Sequence, residues 1–229
     1  MKIFISGGCK NGKSYYAQGL AKQMQSEQPL YYVATMNATD REDDERIVRH
    51  RTERHGWGFT TIEQWQNIEN ILQSCDPRGT FLLDSLTALL ANEMFTPDGQ
   101  IHANAHEKIA TGLTEILSQI NNIVIVSDYI YSDAVVYDPL TEQYRKSLAV
   151  LDRLAALHCD TVLEVCHTQV ITHKKVATPL PEGSVAGIHS LPVRQRRYGG
   201  GASCEHAAKR SERGAEPHYK GGIHVNAIS

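Results

Sequence analysis

The residues with the clearest chemical potential form the segment GGCKNGKS, which directly follows the apolar stretch MKIFIS. Gly7 and Gly12 allow backbone N–H groups to curl around phosphate oxygens, Lys13 can reach the outer phosphates, and the Ser14 hydroxyl can hold Mg²⁺. The helix-compatible residues that follow add the positive end of a helix dipole. The segment therefore predicts a nucleotide-binding P-loop, in which Lys13 also serves catalysis. Its predicted nucleotide-binding residues are Gly7, Gly8, Cys9, Lys10, Asn11, Gly12, Lys13 and Ser14.

Asp84 follows a second apolar run, TFLL, at the predicted carboxyl end of a strand. In P-loop proteins an acid at such a position reaches Mg²⁺ or its bound waters. We therefore predict a metal site formed by Ser14 and Asp84. An alternative role for Asp84 is the N-cap of a helix that begins in SLTALLAN, and the two roles can coexist.

A third cluster of chemically active residues lies in TDREDDERIVRHRTERHGW, residues 39–57. On a helix, Arg46, His50 and Arg54 fall four residues apart and share one face. One interpretation is a surface helix whose acidic start and basic end complement its dipole. The other is a nucleophilic site, since nearby positive charge favours the neutral imidazole and guanidinium groups clamp phosphate oxygens.

Four segments in this order and spacing resemble the bifunctional adenosylcobinamide kinase/adenosylcobinamide-phosphate guanylyltransferase family of cobalamin biosynthesis. The similarity extends from Met1 to about Lys175 and is strongest in the first hundred residues. The segments are GGCKNGKS, VAT at Val33–Thr35, RIVRHR at Arg46–Arg51 followed by Arg54, Trp57 and Glu63, and LLDSLTALLAN at Leu82–Asn92.

The resemblance implies a RecA-like domain that phosphorylates cobinamide with a nucleoside triphosphate and then transfers GMP from GTP through a covalent histidine. It implies Mg²⁺ as cofactor, GTP and ATP as substrates, a corrinoid acceptor and a homotrimer. His50 is then the guanylylated nucleophile. The further residues that the resemblance places around the guanine nucleotide are Ala34, Thr35, Arg51, Arg54 and Glu63.

The chain departs from the family pattern in SDYIYSDA, Ser127–Ala134, where Asp128 stands in place of an amide and Tyr129 in place of an acid. A guanylyltransferase without kinase activity therefore remains an alternative. A generic P-loop small-molecule kinase is a second alternative, although it leaves the Arg/His helix unexplained. A third is a non-catalytic P-loop regulator.

The elements that must position these residues follow from hydrophobic periodicity. Short apolar runs predict strands at Lys2–Ser6, Leu30–Thr35, Thr80–Leu83 and Ile123–Ser127, and helical spacing is found over Ile62–Leu72, Ile109–Ile120 and Leu148–Ala155. Their alternation predicts an α/β fold, with a mostly parallel central sheet covered by helices on both faces. Two further strands, Thr161–Cys166 and Gln169–Lys174, are close enough to form a terminal β-hairpin.

The bulk composition favours one domain with an extension. The 229 residues are 41% hydrophobic, enough for one core, which we place in residues 1–175. Residues 176–229 lack apolar periodicity and carry seven Lys and Arg against four Asp and Glu, so we expect a disordered basic extension, with an RNA-binding arm as an alternative. The net charge of −3 argues against strong nonspecific nucleic-acid binding. No apolar run has the length of a membrane span, and we expect a cytoplasmic protein.

Overall fold

The computed structural model describes residues 1–37, 48, 52, 56–131, 133–167 and 169–176. The strands are β1 (Lys2–Gly7), β2 (Leu30–Ala34), β3 (Phe59–Glu63), β4 (Thr80–Asp84), β5 (Asn122–Asp128), β6 (Thr161–Cys166) and β7 (Gln169–Lys175). The α-helices of the described residues are α1 (Lys13–Met24), α2 (Ile71–Ser74), α3 (Leu86–Met94), α4 (Ala105–Gln119) and α5 (Pro139–His158), and a 3₁₀ turn spans Ile68–Asn70.

The seven strands of the described residues form one sheet in the order β3-β2-β4-β5-β1-β6-β7. Neighbouring strands run parallel, except that β6 and β7 are antiparallel. The predicted α/β fold with a mostly parallel sheet and a terminal β-hairpin is confirmed. The parallel register brings the carboxyl ends of β2, β4, β5 and β1 to the same edge of the sheet.

The sheet separates two apolar layers, because successive side chains of a strand point to opposite faces. Phe81 and Leu83 of β4 pack with the layer formed by α3, α4 and α5. Leu82, between them, packs with Tyr16 and Leu20 of α1 in the other layer. Burial on both faces explains why the central strands read as continuous apolar runs in the sequence.

The helical spacing over Ile62–Leu72 predicted the wrong element. Phe59–Glu63 is instead an edge strand that pairs in parallel with β2, and only the 3₁₀ turn and the short α2 follow it. Ile68 and Ile71 are buried, whereas Trp65 is 37% exposed, so the apolar spacing does not correspond to one helix face. β-branched residues Thr60 to Ile62 favour the strand, and short apolar runs do not distinguish the two periods.

Among the described residues, no helix combines the length and the apolar character needed to cross a membrane. The predicted extension lies, apart from Val176, outside the described residues, so its predicted disorder stays a prediction.

Candidate active site at the carboxyl edge of the sheet

The backbone of the loop between β1 and α1 requires both of its outer glycines. Gly12 has φ 89° and ψ 4°, in the left-handed region that residues with a Cβ rarely adopt, and it immediately precedes α1. At Gly7 a Cβ would lie 2.4 Å from the carbonyl oxygen of Val165. The close approach of β1 to β6 therefore excludes a side chain at the start of the loop.

Asn11 fixes the middle of the loop. Its side-chain amide donates to the Val165 carbonyl, and its Oδ1 accepts from the backbone N–H of Lys13 at 3.2 Å. These two contacts tie the loop to β6 on one side and to the first turn of α1 on the other. The Asn11 side chain thus stabilises the conformation of the loop.

Lys13 is 5% exposed, and its charge is directed back over the loop. Its Nζ donates to the Gly8 carbonyl at 3.0 Å and forms an ion pair with the carboxylate of Asp128. The sequence predicted a role for Lys13 but assigned none to Asp128. The signal was present, since Asp128 ends a buried strand in the same way as Asp84, but which cation it meets depends on the tertiary fold.

Asp84 lies at the end of β4 beside the first turn of α1. The Ser14 hydroxyl donates to its Oδ1 at 3.3 Å, and the Tyr32 hydroxyl donates to its Oδ2 at 2.8 Å. A hydroxyl and a carboxylate at this separation are the hard oxygen ligands that Mg²⁺ prefers, so the two residues fit the predicted metal site. The N-cap of α3 is Ser85, whose side chain accepts from Ala88 N–H, so the capping alternative for Asp84 is wrong.

Thr35 fastens the end of β2 to the start of α3. Its hydroxyl accepts from the Ser85 N–H at 2.6 Å and donates to the Ser85 carbonyl at 2.8 Å, while its carbonyl accepts from the Asn92 amide at 2.6 Å. The residue is fully buried. In the parallel register Ala34 pairs with Asp84 and with Glu63, so these predicted nucleotide-site residues share one edge. Their contact with a nucleotide stays a prediction.

Asp152 of α5 introduces a second, deeply buried acid near Asp128. It is 3% exposed; its Oδ2 accepts from the Tyr131 hydroxyl at 2.9 Å, whereas its Oδ1 has no partner of good hydrogen-bond geometry among the described residues. Burial is the main cause that raises the pKa of Asp152 to about 6; the Ser127 and Tyr131 hydroxyls oppose this shift, and the charge of Asp128 adds to it.

The predicted nucleophile His50 and the predicted guanine-site residues Arg51 and Arg54 lie outside the described residues. The chain on either side of them is described. Thr35 precedes them at the sheet edge, and Trp57 follows them, with its ring edge-on to Tyr15 at a centroid distance of 5.7 Å. Since Tyr15 follows Ser14 in the sequence, Trp57 lies close to the end of the P-loop.

Two solved structures superpose on this chain at low sequence identity. The flagellar accessory protein FlaH from Methanocaldococcus jannaschii superposes with a TM-score of 0.42 at 14% identity, covering 76% of this chain and 78% of that one. A protein from Pyrococcus horikoshii OT3 superposes with a TM-score of 0.39 at 12% identity, covering 79% of this chain and 93% of that one.

Two curated relatives are bifunctional adenosylcobalamin biosynthesis proteins. CobU of Escherichia coli K12 is 34% identical over 101 residues, covering 43% of this chain and 53% of the relative. CobP of Pseudomonas aeruginosa is 28% identical over 162 residues, covering 71% of this chain and 91% of the relative. The chain thus aligns with about half of the first protein and most of the second.

The family model described as cobinamide kinase / cobinamide phosphate guanyltransferase matches residues 3–172. This confirms the resemblance drawn from the four sequence segments. The chain belongs to the cobinamide kinase / cobinamide phosphate guanyltransferase family.

Proposed function

We propose that this chain phosphorylates adenosylcobinamide and then transfers GMP from GTP to adenosylcobinamide phosphate, which gives adenosylcobinamide-GDP. Family membership supports both activities. The observation that carries the kinase half is the convergence of Lys13, Ser14 and Asp84 at one edge of the sheet.

In the kinase half, the loop binds the phosphates of ATP or GTP. Backbone N–H groups and Lys13 hold the phosphate oxygens, and the dipole of α1 adds positive potential at the same place. Ser14 and Asp84 would hold Mg²⁺, which neutralises charge on the outer phosphate oxygens. The contribution of these residues is to position the terminal phosphorus for attack by the hydroxyl group of the corrinoid side chain.

In the guanylyltransferase half, we assign the nucleophile to His50 by resemblance. A neutral ring nitrogen attacks the α-phosphorus of GTP, and the bond to the bridging oxygen breaks with release of pyrophosphate. A phosphate oxygen of the corrinoid then attacks the same phosphorus and breaks the N–P bond. The contact between Trp57 and Tyr15 permits this assignment, since the seven residues from His50 to Trp57 span at most about 25 Å.

Mass spectrometry of the full chain after incubation with GTP and Mg²⁺ tests the guanylyltransferase half. We expect a GMP adduct on the peptide that contains His50, and no adduct in His50→Ala. His55→Ala, in the same segment, is the matched control and should keep the adduct. An adduct that persists in His50→Ala would show that another residue is the nucleophile.

A guanylyltransferase without kinase activity is the second candidate. It is favoured by the departure from the family pattern in Ser127–Ala134, because Asp128 of this segment is paired with the P-loop lysine. Conversion of unphosphorylated cobinamide to cobinamide phosphate by the purified chain would reject this candidate.

The corrinoid partner, the homotrimer and the cytoplasmic location belong to the same proposal. The mass of the protein in solution, measured by light scattering, tests the trimer. A monomer that carries out both reactions would show that the proposed trimer is not required for catalysis.

A further inference from the structure

We propose that Asp128 is the carboxylate that accepts the proton of the substrate hydroxyl during phosphoryl transfer, and that nucleotide binding frees it by drawing Lys13 to the phosphates. The inference rests on the proposed kinase activity. It concerns a residue at which the chain departs from the family pattern.

The position of Asp128 suits a group that meets the substrate. β5 lies between β4 and the P-loop strand β1, and Asp128 pairs in register with Gly7 while Asp84 pairs with Val126. Asp128 therefore extends two residues, or about 7 Å, beyond the level of Asp84 along the strand direction. Its side chain is 16% exposed, so it is accessible from the edge.

The backbone of Asp128 is held independently of its side chain. Its N–H donates to the Thr87 hydroxyl at 2.8 Å, and the next N–H, of Tyr129, donates to the Gly7 carbonyl at 3.2 Å. The carboxylate can thus change partners while the strand end stays in place.

Asp84 is less suited to the same role. One of its oxygens accepts from Ser14 and the other from Tyr32, which places it on the metal side of the loop. Two carboxylates with different neighbours commonly divide two roles in one active site. Asp128, whose partner is the phosphate-binding lysine, is then the carboxylate that can act as the general base.

The ion pair explains how the base becomes available only with nucleotide bound. A P-loop lysine binds the outer phosphates, and a triphosphate offers Lys13 several negative oxygens in place of one carboxylate. When Nζ moves to them, Asp128 loses the Lys13 hydrogen-bond donor. We propose that the attacking hydroxyl approaches from this side, since a general base must come within hydrogen-bond reach of the proton that it accepts.

The proposed step conserves atoms and electrons. The hydroxyl oxygen forms a bond to the terminal phosphorus while the bond from this phosphorus to the bridging oxygen breaks. The electron pair of that bond leaves with the nucleoside diphosphate. The hydroxyl proton moves to a carboxylate oxygen of Asp128 and returns to solvent after the products leave.

The test compares Asp128→Asn with the wild-type full chain in two measurements. One is the Kd of a non-hydrolysable triphosphate with Mg²⁺, and the other is kcat for phosphorylation of cobinamide. We expect kcat to fall by about 100-fold, the contribution typical of a general base. The Kd should fall by a few fold, since Lys13 no longer has to leave a carboxylate. Asp128→Glu should recover part of kcat because it retains the base.

Asp133→Asn is the matched control. It removes a carboxylate from the same loop, where Asp133 pairs with Arg145, and should leave kcat within about 3-fold of wild type, well below the effect of losing a base. An equal kcat for Asp128→Asn and wild type would overturn the inference, as would a fall in kcat with an equal loss of nucleotide affinity. A wild-type chain that transfers no phosphoryl group would instead show that the proposed kinase activity is wrong.

Discussion

The ends of the neighbouring strands β4 and β5 each carry an aspartate, but their surroundings differ. At β4, Asp84 accepts hydrogen bonds from two hydroxyls, and Thr35 satisfies both backbone groups of Ser85. At β5, Asp128 faces a lysine, and the buried Asp152 lies close enough for the two charges to interact.

This difference shows that a shared place in the fold does not assign a shared role. The β4 end has satisfied polar groups and is suited to hold a fixed geometry. The β5 end contains an ion pair and an acid that burial makes costly to ionise, and both respond to a change of charge at the loop. We therefore propose that the β4 end binds the metal, and that the β5 end accepts the proton and exchanges its lysine partner.

The largest effect should come from Lys13→Met, which removes the cation shared by the loop and the β5 end. We expect phosphorylation of cobinamide to slow by about 100- to 1,000-fold, as for loss of one positioned donor to a reacting oxygen. Steady-state kinetics with ATP and GTP measure it. Lys10→Met is the control, because the Lys10 side chain is exposed and Lys10 is expected to contribute to the loop mainly through its backbone. A similar loss there would contradict the special role of Lys13.

The β4 end should respond through metal affinity. Asp84→Asn should raise the Mg²⁺ concentration that gives half-maximal activity by about 10- to 100-fold, because a positioned metal partner is lost. Titration of activity with Mg²⁺ measures the change, and Asp128→Asn provides the comparison, with an unchanged Mg²⁺ requirement. If both variants shift the Mg²⁺ requirement equally, the two strand ends do not have separate roles.

The free energy of unfolding tests how firmly Thr35 holds the β4 end. Thr35→Val leaves the buried N–H and carbonyl of Ser85 without their hydrogen bonds, and should lower the free energy of unfolding by about 1 to 3 kcal/mol. Thr61→Val, on the exposed edge of β3, should change it by less than about 0.5 kcal/mol. Denaturant unfolding measures both, and equal effects would show that the β4 end is not fixed by Thr35.

The smallest effect concerns Asp152. Since the pKa of Asp152 is raised to about 6 in the folded state, its contribution to stability is greatest below its unfolded pKa, about 3.9, and is lost as the pH rises through about 6. Asp152→Asn should therefore stabilise the protein at pH 8 by about 1 to 2 kcal/mol, with little change at pH 4.

Thermal unfolding at the two pH values measures this stabilisation. Asp98→Asn is a control in which the change in stability has the opposite sign. The hydrogen bond from Thr96 lowers the pKa of the exposed Asp98, so its ionised form stabilises the folded state and its loss should destabilise the protein at pH 8. A stabilisation by Asp152→Asn that does not depend on pH would contradict the assigned cause.

The sequence pattern predicted correctly those elements whose formation depends mainly on residues close together in the chain. The P-loop follows from glycines at fixed spacing, and the central strands follow from apolar runs that are buried on both faces. β3 was missed because its five residues pair at the sheet edge, and this pairing with β2 overrides the helical spacing that extends to Leu72. The N-cap of α3 is Ser85 and not Asp84. The sequence did not distinguish them, because both are polar residues that favour N-cap positions.

The chemistry of the β5 end could not be derived from pattern. Lys13 and Asp128 are far apart in the sequence and meet only because β1 and β5 are neighbours. The raised pKa of Asp152 likewise depends on the packing of α5 against the sheet edge. Ion pairing and burial of this kind arise from tertiary structure, which hydrophobic periodicity does not specify.

We propose that a nucleoside triphosphate binds at this edge and exchanges the partner of Lys13. The most direct measurement is a crystal structure with a non-hydrolysable triphosphate and Mg²⁺. We expect Lys13 Nζ on the terminal phosphate oxygens, Mg²⁺ beside Ser14 and Asp84, and the Asp128 carboxylate released toward the open edge. A bound triphosphate with Lys13 still paired to Asp128, or a triphosphate away from the P-loop, would rule out this exchange.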